Sequence, residues 1–246
     1  MKQVVEIIER CAVGTCVSRP FCVRADDDRL YWIKGCGRGW NRNELCYELL
    51  AAKMACEFKI PVANHAVLHV SRSLLEFCAV PGIEDLETGP AFGSLHVDNA
   101  VSLPPVEIKT VPVELRQKIL LFDWWIQNED RILGEIGGNV NLLWTPASNK
   151  LTAIDHNCAF DKDFDENRFF NNHVFSEERR RIEKSFLLEQ KQIFADIAAR
   201  LYEISADLPT EWAASHGMPG DYSPQNVQDV LRRYDELASV FGALIP

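Results

Sequence analysis

Between Phe122 and Phe160 the sequence runs FDWWIQNEDRILGEIGGNVNLLWTPASNKLTAIDHNCAF, and polar residues with acid–base and metal chemistry interrupt what otherwise reads as core. Asn128-Glu-Asp-Arg131 is followed by Asn139-Val-Asn-Leu-Leu143, a turn at Asn149-Lys150, and an apolar run ending in Ile154-Asp-His156. Two short strands flanking a turn bring the residues at their outer ends together, here Asn139 and Asp155. A carboxylate, an amide and a second carboxylate in such an arrangement are what phosphoryl transfer requires. The first orients a hydroxyl nucleophile, and the other two hold the magnesium that bridges the phosphates. Magnesium is a hard cation that takes oxygen ligands, usually only one or two of them protein carboxylates. Asp130, Asn139 or Asn141, and Asp155 fit that description.

The rest of the composition narrows the class. A chain of 246 residues, 47% hydrophobic and 25% charged, buries a real core. Its formal net charge of -10 argues against a general nucleic-acid surface. No apolar run is long enough to span a membrane, and Glu6 and Glu9 stand where a leader peptide would be apolar, so the expected location is the cytoplasm. The 8 cysteines form no Cys-x-x-Cys pair and lack matching histidines, which predicts reduced thiols rather than a zinc site. Asp161, Asp163 and Asp165 lack the glycine and closing glutamate of a calcium loop and are expected in a solvated acidic loop. The charge run Glu177–Arg181 is expected on a solvated helix face.

In chain order, Val4 to Cys11 alternates loosely and suits a strand or a short helix. A turn from Gly14 to Pro20, an apolar Phe21 to Arg24, a polar tip at Asp26–Asp28 and a strand at Leu30–Ile33 predict antiparallel strands with Lys34 at the last end. Backbone N–H groups and hydroxyls from Gly14 to Ser18 can lie over phosphates, and Lys34 can contact phosphate oxygens. The run Gly35-Cys-Gly-Arg-Gly39 lacks the Gly-Lys-Ser/Thr close of a Walker A motif. A helix is predicted from Asn41 to Phe58, with Glu48 placed to pair with the lysine. Val62 to Val70 reads as a strand, Leu74 to Val80 as another, and Pro81 to Pro105 as an irregular connection. Helices are predicted from Val113 to Gln127, from Phe175 to Ile204, and after Ser223-Pro224. Trp124 and Trp125 are expected in the core. The predicted division is 1–80, 81–111 as a connection, and 112–246.

The order of these parts resembles the HipA-like kinases, in particular their short single-domain branch. The resemblance rests on Gly14-Thr-Cys-Val-Ser-Arg-Pro-Phe21, Tyr31-Trp-Ile-Lys34, Glu48-Leu-Leu-Ala-Ala52 with Ile60-Pro-Val62, Asn128-Glu-Asp-Arg131, Asn139-Val-Asn-Leu-Leu143 and Ile154-Asp-His156. It implies an α+β, two-lobed protein-kinase-like fold, with a small antiparallel β-rich N-lobe and a mostly helical C-lobe. It implies Asp130 as catalytic base, Asn139 as the amide ligand of magnesium with Asn141 as the nearby alternative, and Asp155 as the metal-holding acid. Lys34 becomes the phosphate lysine and Glu48 its partner. Gly14, Thr15, Ser18 and Arg19 belong to the phosphate-covering loop. ATP and Mg2+ are the implied cofactors, and a Ser/Thr hydroxyl of a protein is the implied acceptor. An antitoxin-like or regulatory protein is a further candidate partner. The larger members' extra N-terminal subdomain is not expected here, so the resemblance does not carry over their antitoxin binding. One departure is the interval after the base: Ile132 to Gly138 lengthens it beyond the family's usual spacing of about five residues. That keeps a nucleotide-binding pseudokinase or interaction module as an alternative. The acidic stretch Asp161–Glu166 keeps a kinase of cationic small molecules as another.

Overall fold

The computed structural model describes residues 1–12, 18–35, 37, 42–133, 138–213 and 222–242. Two compact units make up the chain. The first contains residues 1–49, 63–98 and 208–222, and the second residues 50–62, 99–207 and 223–246.

The first unit is built on a closed barrel of β1 (Lys2–Arg10), β2 (Phe21–Ala25), β3 (Leu30–Lys34), β4 (His65–Val70) and β5 (Gly89–Leu95), in the order β1-β2-β3-β5-β4. Neighbours are antiparallel except at the closure, where Lys2–Gln3 of β1 run parallel to Leu68–His69 of β4. The loose alternation of β1 has a physical cause. Its register against β2 shifts between Val4 and Glu6 and again between Ile7 and Glu9. Each irregularity adds a residue and turns the strand, so the inward side chains are Val4 and Ile7, at a spacing that also suits a helix. They join Phe21, Val23, Tyr31, Ile33, Leu68 and Val70 in the barrel core.

Two expectations for this unit are corrected. Leu74 to Val80 does not form a strand. Residues Arg72–Glu76 are the helix α2, following α1 (Arg42–Glu57), and the hydroxyl of Ser71 accepts from the Leu74 amide at 3.3 Å to start it. That cap and the packing of Leu74, Leu75, Cys78 and Val80 on the barrel core outweigh the β-like composition. The stretch expected as an irregular connection contains β5, because its Gly and Pro residues sit where a strand tolerates them. Pro90 lies near the strand start, and Gly93 faces Leu68 so closely that an added Cβ would stand 2.1 Å from its Cδ1.

The second unit combines a small sheet, β6 (Val101–Ser102), β7 (Leu142–Thr145) and β8 (Lys150–Ala153), with helices. These are α3 (Val113–Trp125), α4 (Glu166–Asn172), α5 (Lys184–Ala199), α6 (Leu201–Ser205), α8 (Pro224–Leu231) and α9 (Leu237–Gly242), whereas α7 (Thr210–Ala213) falls in the first unit. The core forms around α3. Trp124 and Trp125 are fully buried, as expected. Trp125 stacks on Phe194 of α5 at 4.1 Å between ring centroids and donates its indole N–H to the Leu231 carbonyl, while Trp124 meets Phe241 of α9 edge-on. Such aromatic contacts contribute beyond their buried area.

The run Glu177–Arg181 is also corrected. It lies in a 3-10 helix over Ser176–Arg181, and Glu178 is buried against Arg116 of α3, with 2.6 Å between Nη1 and Oε1. A buried partner on another element converts one charge of the run from surface to core. Cys22, Cys46, Cys56, Cys78 and Cys158 are free thiols, as expected, whereas the expectation of a reduced thiol is corrected at Cys11, which is disulfide-bonded. Among the described residues no helix is long and apolar enough to cross a membrane.

Candidate active site

In the first unit β3 ends at Lys34, whose side chain reaches Glu48 of α1. Its ammonium lies 3.2 Å from Oε1 and 3.1 Å from Oε2 of Glu48, and both residues are buried. The pairing expected from the sequence is therefore present. Of the expected phosphate-covering loop, Gly14 and Thr15 lie outside the described residues. Ser18 is half-buried. Arg19 has a left-handed backbone, and its Nε donates to the Cys11 carbonyl, while Arg10 Nε donates to the Arg19 carbonyl. These bonds tie the two ends of the loop together and leave Arg19 Nε turned toward backbone.

In the second unit α3 stops because Gln127 takes a left-handed conformation and the Asn128 amide bonds back to the Asp123 carbonyl at 2.8 Å. The chain emerges as the Asn128–Arg131 loop. Asp130 Oδ2 accepts from Asn141 Nδ2 at 2.7 Å and from Asn139 Nδ2 at 3.0 Å. The lengthened interval does not carry either amide away, because the Ile132 amide bonds the Asn139 carbonyl at 3.0 Å and joins the two ends of the inserted stretch. Asn141 is buried and Asn139 exposed.

The β7–β8 hairpin supplies the other carboxylate. Leu142 pairs with Ala153, the Ile154 amide bonds the Asn141 carbonyl at 3.0 Å, and Asp155 follows. A turn with Asn149 in the left-handed region connects the strands, a conformation that asparagine tolerates better than most residues. The hairpin therefore aligns Asn141 with the residue before Asp155, one register step beyond the last strand pair. Partial burial pushes the Asp130 carboxyl up, and the nearby charge of Asp155 pushes the same way, against the two amide hydrogen bonds and the Arg131 charge. A carboxylate with raised proton affinity is better suited to accept a proton than one at its ordinary value.

Beneath this loop lies a buried polar network that sequence reasoning did not identify. Arg131 Nε donates to Asp123 Oδ2 at 2.8 Å, Asn128 Nδ2 donates to Asp123 Oδ1 at 2.9 Å, and His173 Nε2 lies 3.1 Å from Asp123 Oδ2. His173 Nδ1 accepts from the Phe175 amide, so Nε2 carries the ring proton and donates to Asp123. Burial works to raise the Asp123 carboxyl, but the Arg131 charge and the His173 hydrogen bond outweigh it and hold the group below the usual carboxylate range. Burial lowers His173, and Asp123 only partly offsets it. The available signal was a charged Asp123 inside the otherwise apolar stretch of α3.

The sequence matches the family model described as HipA-like kinase over residues 4–238. The chain belongs to the HipA-like kinase family. No curated protein sequence matches it. Among solved structures, the Golgi casein kinase superposes with a TM-score of 0.58 at 12% identity, covering 99% of this chain and 73% of that one. The same kinase with Mn/ADP bound gives a TM-score of 0.57 at 12% identity with the same coverage. The proinflammatory kinase CtkA of Helicobacter pylori gives 0.47 at 10% identity, covering 95% of this chain and 92% of that one. At such low identity, the Golgi casein kinase likeness shows that this HipA-like kinase shares a kinase fold.

Proposed function

We propose that this HipA-like kinase is an ATP- and magnesium-dependent protein kinase that phosphorylates Ser or Thr hydroxyls. The observation that carries the reading is the seating of Asp130 against Asn141, with Asn141 placed by the hairpin beside the residue that precedes Asp155. The donor set suits the cation. Asp155 and the asparagine side chains offer oxygens, and hard magnesium completes its shell with water and phosphate oxygens. Asn139 and Asn141 both commit Nδ2 to Asp130, and Asn141 differs in its burial and its shorter bond. With Nδ2 committed to Asp130, the Asn141 Oδ1 is turned to the opposite side. When bound, the cation neutralises charge developing on the phosphates. The Mn/ADP complex of the similarly folded kinase supports the nucleotide and divalent-metal part of the reading.

In this reading Asp130 accepts the proton of the acceptor hydroxyl as the acceptor oxygen bonds to the γ-phosphorus. The bond from that phosphorus to the β–γ bridging oxygen breaks, giving a phosphoester and ADP. Lys34, aimed by Glu48, contacts the phosphates, and Gly14, Thr15 and Ser18 cover them. The two-lobed organisation belongs to the same reading, with the barrel unit as nucleotide lobe and the helical unit as catalytic lobe. The acceptor protein, an antitoxin-like or regulatory partner, and a cytoplasmic location remain part of the proposal.

The features behind the alternatives weaken. Both amides reach Asp130 despite the long interval, which favours a competent site over a pseudokinase. The acidic stretch is engaged locally: Asp161 Oδ1 accepts from the Asp163 amide, Asp165 caps α4 through the Arg168 amide at 2.8 Å, and Glu166 accepts from Trp124 Nε1 and pairs with Arg233. Those carboxylates hold the fold, so a cationic acceptor pocket there is disfavoured. Transfer of labelled phosphate from ATP to protein in a cell lysate tests the proposal. Asp130→Asn is expected to lower labelling by ~10²-fold or more, the scale of one lost catalytic group. Undiminished labelling in the variant would discard Asp130 as base, and none with the wild type would discard the protein-kinase reading.

A further inference from the structure

Arg131 immediately follows the proposed base and is almost fully buried. Its guanidinium makes three contacts at once. Nε bonds Asp123 Oδ2 on α3, while Nη1 donates to the Asn141 carbonyl and, at 3.2 Å, to the Ile154 carbonyl. Those two carbonyls belong to the segments that present the proposed cation ligands, Asn141 itself and Asp155 directly after Ile154. Both Asn141 and Asp155 have left-handed backbones, with φ of 49° and 54°. Non-glycine residues persist in that region when the surrounding structure holds them there.

We propose that Arg131 is the positioning residue of the phosphotransfer site: one guanidinium clamps the base loop to α3 and sets the spacing of Asn141 and Asp155. The proposal rests on the phosphotransfer reading above. Two considerations separate it from simple core stabilisation. A buried ion pair is a poor source of stability, since well-packed apolar residues of similar volume often do as well or better. Nor would a lysine reproduce the arrangement, because a point charge cannot spread planar donors over a carboxylate and two carbonyls on different segments. Asp123 acts through Arg131 and is itself oriented by Asn128 and His173.

The test compares the wild type, Arg131→Lys, and the double variant Asp123→Leu/Arg131→Met, which replaces the ion pair with apolar bulk. Three quantities are measured on the full chain: the metal-free melting temperature, Mn2+ binding in the presence of ADP by electron paramagnetic resonance, and kcat and KM for ATP. Residues that orient metal ligands typically change metal affinity by about 10–100-fold when altered. Accordingly both variants are expected to bind Mn2+ about 10–100-fold more weakly. The lysine variant is expected to lose kcat by ~10²-fold, the cost of a misplaced catalytic group, while KM for ATP changes much less. The double variant leaves no unpaired buried charge, so it is expected to melt above Asp123→Ala, which keeps the Arg131 charge buried, and still to bind Mn2+ weakly. Wild-type Mn2+ affinity in the lysine variant or in the double variant would show that Arg131 only stabilises and would overturn the proposal. A wild type that binds no Mn2+ with ADP would remove the phosphotransfer reading and this proposal together. A wild type that binds and turns over, with variants that match it, would remove this proposal alone.

Discussion

Lys34 and Glu48 in the barrel unit, and Asp123 and Arg131 in the helical unit, are both buried ion pairs, yet they are built for different tasks. The first joins the end of a strand to a helix by a compact ammonium on a flexible stem. Such a group can exchange a carboxylate oxygen for a phosphate oxygen with little rearrangement of backbone. The second sets a planar fork among a carboxylate and two backbone carbonyls, with an asparagine and a histidine completing the carboxylate's shell. It cannot move without loosening α3, the base loop and the hairpin. One pair is suited to handling a ligand, the other to fixing a geometry.

The strongest way to break this contrast is to truncate one partner in the helical unit. Asp123→Ala leaves the Arg131 charge buried and is expected to destabilise the fold by ~3–5 kcal/mol, measured as a lower urea midpoint. A loss below about 1 kcal/mol would mean that the network is ornament rather than frame. In the barrel unit, Lys34→Met leaves the Glu48 carboxylate buried and also costs stability, but it is expected to act on ligand as well. Hydrogen bonds to charged groups are worth about 1.5–3 kcal/mol, so the Kd for ADP with Mn2+ should rise roughly 10–100-fold by calorimetry. The contrast fails if that variant loses stability as Asp123→Ala does while keeping its nucleotide affinity.

The smallest expected effect is in pH. His173 is held below its ordinary value in the folded state, so the unfolded chain binds the proton more readily. Stability from this group is complete above the unfolded value of about 6.5 and declines as pH falls below it. Asp123, also depressed, adds a second decline at still lower pH, through the carboxylate range. The melting temperature is expected to fall between pH 7 and pH 5, and His173→Gln should flatten that slope. An unchanged slope would place the acid sensitivity elsewhere.

Most groups proposed for the chemistry were legible in the sequence, because each carries a local signal. Lys34 ends a β-branched and aromatic run, Glu48 sits in a helix that follows, and Asp130, Asn139 or Asn141, and Asp155 are polar residues bracketing apolar strands. What was not legible depends on partners distant in the chain. His173 meets Asp123 at a separation of 50 residues, and Glu178 is drawn inward by Arg116. No window of neighbouring residues reports such a meeting. The opposite failure occurred at β5 and α2, where local signals were present but misleading. Gly93 is a close-approach residue rather than a strand breaker, and Ser71 is a cap that only hydrogen-bond geometry identifies.

The bond from the Ile132 amide to the Asn139 carbonyl has a consequence for how this chain can tolerate insertion. It works as a drawstring: whatever lies between those residues is gathered at its neck, and the neck, not the length of the bag, determines where Asn139 and Asn141 arrive. The entropy of closing such a loop grows only slowly with its length, by ~0.6 kcal/mol per doubling. Insertions can therefore accumulate beside the proposed base at small thermodynamic cost. The same segment offers a place to graft a reporter peptide next to the chemistry while the groups on either side of the neck keep their places.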